Sequence, residues 1–381
     1  MANAAQPERL VIALLEQDSE SLPKSAFPHG VTIIHDHCKP EDSLGTCWAR
    51  TQIQKRFEDE AFYFQLDSHH RFAPGWDSAL QSELARCPSG LPVLSGYLPP
   101  FAEKDGAEWR ADDTGGALHA SHFDHDGVLH IKSHQIAGDP ALPPVRGHYV
   151  SGHFIFAPGE FVRRVPYDPD FYFTGEEVSM SVRAFTHGFD VYHPRKAPAW
   201  HRYGREVAPR HWNDHPEGSA SSWTEAQRKS VAKWTRLFGP APHIADEDGL
   251  GWRRSLADFE AWSGVDCHWR IIHPSAVAAA PPPCGAPQPW AVGAGQLESA
   301  SLHLPLPALA GQPLESVYIA VRDSTPRDAF VLRAGADDYS ALQSRGLEIN
   351  VHYKTAPLNL IVLPFANGKW GAAHEKRLSA Q

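Results

Sequence analysis

The string FYFQLDSHHRF at residues 62–72 holds the side chains best suited to chemistry in this chain. A near-continuous apolar run, the pattern of a strand buried on both faces, ends directly in Asp67, Ser68 and His69. Ligands in open α/β sheets bind at the carboxyl ends of strands. A carboxylate and an imidazole placed there can converge on one divalent cation, and their mixed oxygen and nitrogen donors suit Mn²⁺ as well as Zn²⁺. The plainer reading of the same residues is a turn-capping aspartate beside a surface histidine. Glu176 and Glu177, in TGEE, form a second acidic pair at a helix start, where the dipole favours carboxylates whatever their function. Asp77 in GWD reads as another carboxylate of a helix N-terminus, with Trp76 in the core. His119, His122, His125, His130 and His134 crowd together with Asp124 and Asp126, but without the ligand spacing of a closed metal site, and they read as a solvated loop. With 23 histidines in the chain, a single imidazole says little by itself. No G-x-S-x-G elbow, G-x-G-x-x-G turn or P-loop occurs.

The elements around these residues follow an α/β rhythm. Short apolar runs at 11–15, 31–34 and 61–66 predict strands, and Ala49, Ile53 and Phe57 share one face of a helix between the last two. A second helix over 175–187 carries Val178, Val182 and Phe185 on one stripe. Ser222 and Glu225 have the spacing of a capping box ahead of Trp223, Val231, Trp234 and Phe238. The segment 99–147, rich in Gly, Pro, Asp and His, is too long for an ordinary connection and reads as a functional lid or acceptor loop. At 274–290, HPSAVAAAPPPCGAPQP reads as a stiff linker. It divides an α/β domain at 1–273 from a β-rich domain at 291–381 built from SLHLPL, SVYIAV, FVLRA, LEINVHY and LNLIVLPF, a pattern expected of a small all-β sandwich.

Composition excludes several classes of function. Lys and Arg number 35 against 45 Asp and Glu, a net charge of −10, so nucleic acid and anionic membrane are not expected partners. No run reaches the roughly 20 apolar residues that span a bilayer, and MANAAQPERL has neither the basic nor the apolar region of a signal peptide. Five cysteines without C-x-x-C spacing fit a reducing compartment, so a cytoplasmic location is expected.

Several separated blocks, in order, resemble the protein-hydroxyproline N-acetylglucosaminyltransferase family, which is related to the polypeptide N-acetylgalactosaminyltransferases. They are CWAR at 47–50, FQLDSHHRF at 64–72, GWD at 75–77, SGHFIFAPG at 151–159, VPYDPDFYFTGEEVSMSVRAFTHGFDVYHP at 165–194 and HRYGR at 201–205, with RRSLADFEAWSGVD at 253–266 a looser match. The resemblance covers about residues 10–272 and implies a GT-A fold, a metal-dependent retaining glycosyltransferase, and transfer of a sugar, GlcNAc from UDP-GlcNAc, to a hydroxyl of a protein or peptide.

Carried over residue by residue, the resemblance makes Asp67 and His69 the counterpart of the D-x-D motif, with Ser68 between them in D-S-H. They would hold Mn²⁺, or another divalent cation, against the diphosphate of the UDP-sugar, with His201 completing the metal set. Arg50 would be free to pair with a ribose or diphosphate oxygen, or would be an ordinary solvated arginine. Gly152 would let backbone approach the donor sugar, or only bend a strand. Glu176 matches the acid facing the sugar or acceptor, with Glu177 or Arg183 orienting it. One departure concerns the start: VIALLEQD matches the family's second strand, so the strand that helps bind the base has no counterpart, and VYIAVRDS at 317–324 is a remote candidate to replace it. That gap motivates one alternative, a degenerate transferase serving as a glycan-binding scaffold; a transferase with a glycan or small-molecule acceptor is another. A metal-dependent hydrolase using the same ligands is a third.

Overall fold

A computed structural model describes residues 3–378 except 105, 125, 138, 140, 205–210, 216–221, 239–248, 269, 279–297, 310–312, 325–327, 354–355 and 368. His125, Arg205, Cys284 and most of the expected linker therefore lie outside the described residues. The chain forms two compact units, one of residues 1–121, 130–263 and 275–281, the other of 122–129, 264–274 and 282–381.

The first unit is mixed α/β, the class the sequence implies. Strands β1 (Val11–Gln17) and β2 (Thr32–Cys38) pair in parallel, and α1 (Thr46–Gln54) follows. Next come β3 (Phe62–Leu66), β4 (His70–Phe72), α2 (Trp76–Ala85) and β5 (Pro92–Ser95). Leu80 and Leu84 of α2 repeat the phase of Trp76 and pack on Leu94, Phe154, Phe156 and Tyr192. Each fully buried leucine there contributes about 1.5–3 kcal/mol relative to exposure.

Residues 99–147 are not a structureless lid. They hold the hairpin β6 (Phe101–Lys104) and β7 (Ala107–Arg110), the pair β8 (Gly116–Phe123) and β9 (Leu129–Gln135), and the short β10 (Val145–Arg146). Ala117, Leu118 and Ala120 are buried in β8, an apolar pattern masked by the surrounding Gly and His. The ring nitrogens Nδ1 of His119 and His134 approach to 3.2 Å across this pair.

After β11 (Phe154–Pro158) the unit continues through α3 (Glu160–Arg164), α4 (Glu176–Thr186), β12 (Asp190–His193), β13 (Ala199–His201), α5 (His211–Asp214), α6 (Trp223–Leu237) and α7 (Leu256–Ser263). The main sheet has the order β10-β12-β5-β11-β3; β12 and β5 are parallel and the other pairs antiparallel. β3 is thus an edge strand: Tyr63 and Gln65 are buried on one face, while Phe62 keeps 39% of its surface exposed. The expected capping box does not form. Ser222 Oγ meets Thr224 Oγ1 at 2.6 Å, and a forked pair with Arg228 draws the Glu225 carboxylate away from the helix end.

In the second unit β14 (Val265–Asp266) pairs with β15 (Ile271–Ile272). β16 (Glu298–Leu304) pairs with β19 (Leu347–Tyr353), and β17 (Ser316–Arg322) lies between β18 (Asp328–Gly335) and β20 (Leu358–Ala366). β21 (Lys369–Trp370) and β22 (His374–Leu378) also join β20. Val317, Ile319 and Val321 face one apolar cluster and Tyr318 and Ala320 another. Both hydrogen-bonding edges of β17 are taken within this sheet, so 317–322 does not serve as a replacement strand for the first unit. One helix, α8 (Ala336–Arg345), stands among strands that the sequence reading takes as all-β.

Candidate metal centre and active site

Strand pairing brings the D-S-H motif to a histidine far along the chain. β13 runs antiparallel to β4 with His201 opposite His70, Arg202 N donates to the His69 carbonyl at 3.1 Å, and His201 N donates to the Pro99 carbonyl at 3.0 Å. Asp67 Oδ2 then lies 3.5 Å from His201 Nε2 and 3.8 Å from His69 Nε2. One ligand atom from each of Asp67, His69 and His201 falls within 4.8 Å of the others, and no other such group of three occurs among the described residues.

His201 is buried, yet neither ring nitrogen has a hydrogen-bond partner. Leaving a buried polar group unsatisfied costs about 1–3 kcal/mol, which makes such a group a marker of an ion or ligand. With one carboxylate and two imidazoles converging, the residues present fit a divalent cation. Burial would raise the Asp67 carboxyl, but the His201 ring 3.5 Å away and the Arg50 guanidinium outweigh that and hold it well below the usual carboxylate range. Ser68 is exposed and its Oγ lies 3.4 Å from His69 Nδ1.

Arg50 is neither solvated nor free. α1 buries it, its Nη2 donates to Asp67 Oδ1 at 2.7 Å, and its Nη1 donates to Glu176 Oε1 and, at 3.3 Å, to the Tyr167 hydroxyl. A buried guanidinium requires such partners. Arg50 therefore ties the acid of the candidate metal set to the acid at the start of α4. Tyr167 also donates to Glu176 Oε1, at 3.2 Å, and the Cys47 thiol lies near the same carboxylate, so that burial and this charge raise the thiol well above its usual range.

Gly152 completes this arrangement. A Cβ there would stand 2.6 Å from Glu176 Oε1 and 2.9 Å from Arg50 Nη1, so only glycine lets the pair lie against the backbone. Its N–H donates to Glu177 Oε1 at 2.9 Å, and the Tyr97 hydroxyl donates to Glu177 Oε2 at 2.7 Å. Burial pushes the Glu177 carboxyl up to about 7 against these two hydrogen bonds. Two adjacent acids thus occupy different surroundings, one fixed by a guanidinium and one held by neutral donors.

Arg183 does not join them. It lies two turns further along α4, about 10 Å in rise, and its Nε donates to the Gly249 carbonyl at 3.3 Å. Asp77 accepts the backbone N–H of Ala5 and Gln6 at 2.7 and 2.8 Å, and Trp76 is in the core.

His153, within SGHF, is a neighbour the sequence reading misses. Its ring stacks on His201 with centroids 4.2 Å apart, Leu98 N donates to its Nε2 at 3.3 Å, and its Nδ1 lies 2.9 Å from Ser151 Oγ. Burial pushes it well below the usual imidazole range, so it packs as a neutral ring that fixes the plane of His201. His70 donates from Nδ1 to the Asp67 carbonyl at 2.9 Å and sits 4.9 Å from His201 by ring centroid.

Among solved structures the chain is similar to GalNAc-T7, crystallised with UDP, GalNAc and Mn²⁺, at 15% identity and a TM-score of 0.40. The match covers 57% of this chain and 44% of that one, so it spans less than half of that relative. No curated protein matches the chain. The family model described as Glycosyltransferase (GlcNAc) matches residues 2–267 of the 381. That is well over half the sequence and takes in every residue of the centre just described, and the chain belongs to the Glycosyltransferase (GlcNAc) family.

Proposed function

We propose that this protein is a metal-dependent retaining glycosyltransferase that moves GlcNAc from UDP-GlcNAc to a hydroxyl of a protein or peptide, in the manner of the hydroxyproline-directed enzymes it resembles. The observation that carries this reading is the convergence of Asp67, His69 and His201, with both ring nitrogens of a buried histidine lacking partners. Mn²⁺ suits the donor set and, when bound, supplies neutralisation of the charge on the departing diphosphate. The chain does the rest. Asp67 stays ionised beside Arg50, His153 and the β4–β13 pairing fix the His201 ring, and Arg50 holds Glu176 at the mouth of α4. With Oε1 taken by Arg50 and Tyr167, Oε2 is the Glu176 oxygen that would accept from a sugar or acceptor hydroxyl, and its charge would steady the positive character that develops on the sugar ring. Glu176 Oε1 is occupied by Arg50 and Tyr167, so the carboxylate is held as an orienting group and not as a covalent nucleophile. Retention then follows a front-face route in which a donor phosphate oxygen takes the acceptor proton.

We place the protein in the cytoplasm, because its five cysteines lack C-x-x-C spacing and fit a reducing compartment. No helix among the described residues is long and apolar enough to cross a membrane.

The test is to incubate the full chain with Mn²⁺ and a panel of UDP-sugars and measure UDP release with and without hydroxyproline-containing peptides. Peptide-stimulated release from UDP-GlcNAc, with sugar found on the peptide, supports the proposal. Release that ignores every acceptor indicates hydrolysis, and no release with any donor supports the scaffold alternative.

A further inference from the structure

A second concave site lies at the other end of α4. A cleft of about 530 Å³ is lined by Arg163, Arg164, His187, Trp252 and Arg253. From Glu176 to Thr186 the helix rises about 15 Å, so this cleft is separate from the Asp67 centre.

Its charge is built and only partly used. Arg164 donates to the His187 carbonyl at the C-terminus of α4 and pairs with Glu160 at 2.9 Å, while Arg163 donates to the Glu58 carbonyl at 2.7 Å and pairs with Asp59 at 3.3 Å. Glu160 and Asp59 are 45% and 96% exposed, so both pairs are weak and readily yield to a competing anion. Arg253 has no carboxylate partner among the described residues. Its stem lies over Gly188, where a Cβ would come within 2.6 Å of Arg253 Cδ, and its guanidinium carbon sits 5.9 Å from the Trp252 ring centroid. Trp252 is itself 88% exposed. In a chain of net charge −10, three guanidinium groups around a bare indole run against the overall sign.

We propose that this cleft binds a phosphate ester of mononucleotide size, with the phosphate among Arg163, Arg164 and Arg253 and a flat ring stacked on Trp252. Guanidinium groups favour phosphate through forked, charge-assisted hydrogen bonds, and an exposed indole is a stacking surface for a base. The volume falls within the roughly 300–1,000 Å³ of small-ligand sites, which favours a small molecule over an extended acidic peptide.

Calorimetric titration of the full chain with AMP and with pyrophosphate, in EDTA so that no cation assists the other centre, tests this. AMP should bind the parent more tightly than pyrophosphate does. Arg253→Ala should weaken both ligands about tenfold, as expected for one lost charge-assisted contact, and Trp252→Ala should weaken AMP about fivefold while sparing pyrophosphate. Asp67→Ala should bind AMP like the parent. Failure of AMP to bind the parent at millimolar concentration, equal affinity in all variants, or loss of binding in Asp67→Ala would each overturn the proposal. None of these outcomes depends on glycosyl transfer.

Discussion

Gly152→Ala asks whether the Arg50 bridge holds the centre together. To reach ordinary contact near 3.4 Å from a new Cβ, Glu176 Oε1 must retreat by about 0.8 Å and Arg50 Nη1 by about 0.5 Å. Neither can move alone. The two atoms belong to one ion pair, and the same guanidinium holds Asp67 at 2.7 Å through its other nitrogen. Overpacking of this kind costs about 1–3 kcal/mol, rising toward about 3–5 kcal/mol if the buried pair separates. Denaturant unfolding of the full chain, followed alongside calorimetric Mn²⁺ titration, should show a loss in the lower range together with weaker metal binding. A variant within about 0.5 kcal/mol of the parent and with unchanged Mn²⁺ affinity would refute the claim that the pair is pressed against this backbone.

Other changes probe the remaining parts. The Glu177 carboxyl is raised from 4.5 to about 7, so the fold prefers its protonated form: stability from this group is full below pH 4.5 and is lost as pH rises through 7, by on the order of 3 kcal/mol. Glu177→Gln, which can accept from Gly152 and donate to Tyr97, should flatten stability between those pH values, and an unchanged slope in pH-dependent unfolding would discount the shift. Glu176→Gln should retain Mn²⁺ affinity but slow sugar transfer about tenfold to hundredfold, since the amide keeps shape and loses charge. A fully active and slightly less stable protein would leave that acid with only a helix-dipole role. His201→Ala should weaken Mn²⁺ at least about tenfold, and a structure with Mn²⁺ in which this imidazole points away from the ion would exclude it as a ligand.

What could be read from the sequence is what local patterns control. The run ending in Asp67 marks β3 because apolar residues there terminate at polar ones, and the C-terminal runs became strands because short β-branched and aromatic stretches are bounded by Gly, Pro and Asp turns. The spacing of Ala49, Ile53 and Phe57 located α1, but that Arg50 is buried depends on Asp67, Tyr167 and Glu176 arriving from three other segments, which no local pattern reports. His153 was visible only as part of SGHF, since stacking on His201 is a consequence of the β4–β13 pairing. In 99–147 the polar and glycine-rich composition concealed β8, whose buried small residues carry little hydrophobic signal. The capping box had the right spacing and lost to a charged neighbour, Arg228, at the same distance along the helix. α8 carries Asp337 and Asp338 in its first turn and buries only Tyr339, too narrow an apolar face for periodicity to announce.

The central claim is that Asp67, His69 and His201 hold one divalent cation. Titrating Mn²⁺ into the full chain and into Asp67→Ala and His69→Ala tests it most directly, with circular dichroism confirming that each variant is folded. The account predicts a single site in the parent that both substitutions abolish without unfolding the protein, because His69→Ala removes a ligand near a strand end and Asp67→Ala still leaves the buried Arg50 paired with Glu176. Mn²⁺ affinity unchanged in both variants, or no Mn²⁺ binding by the parent, would contradict it.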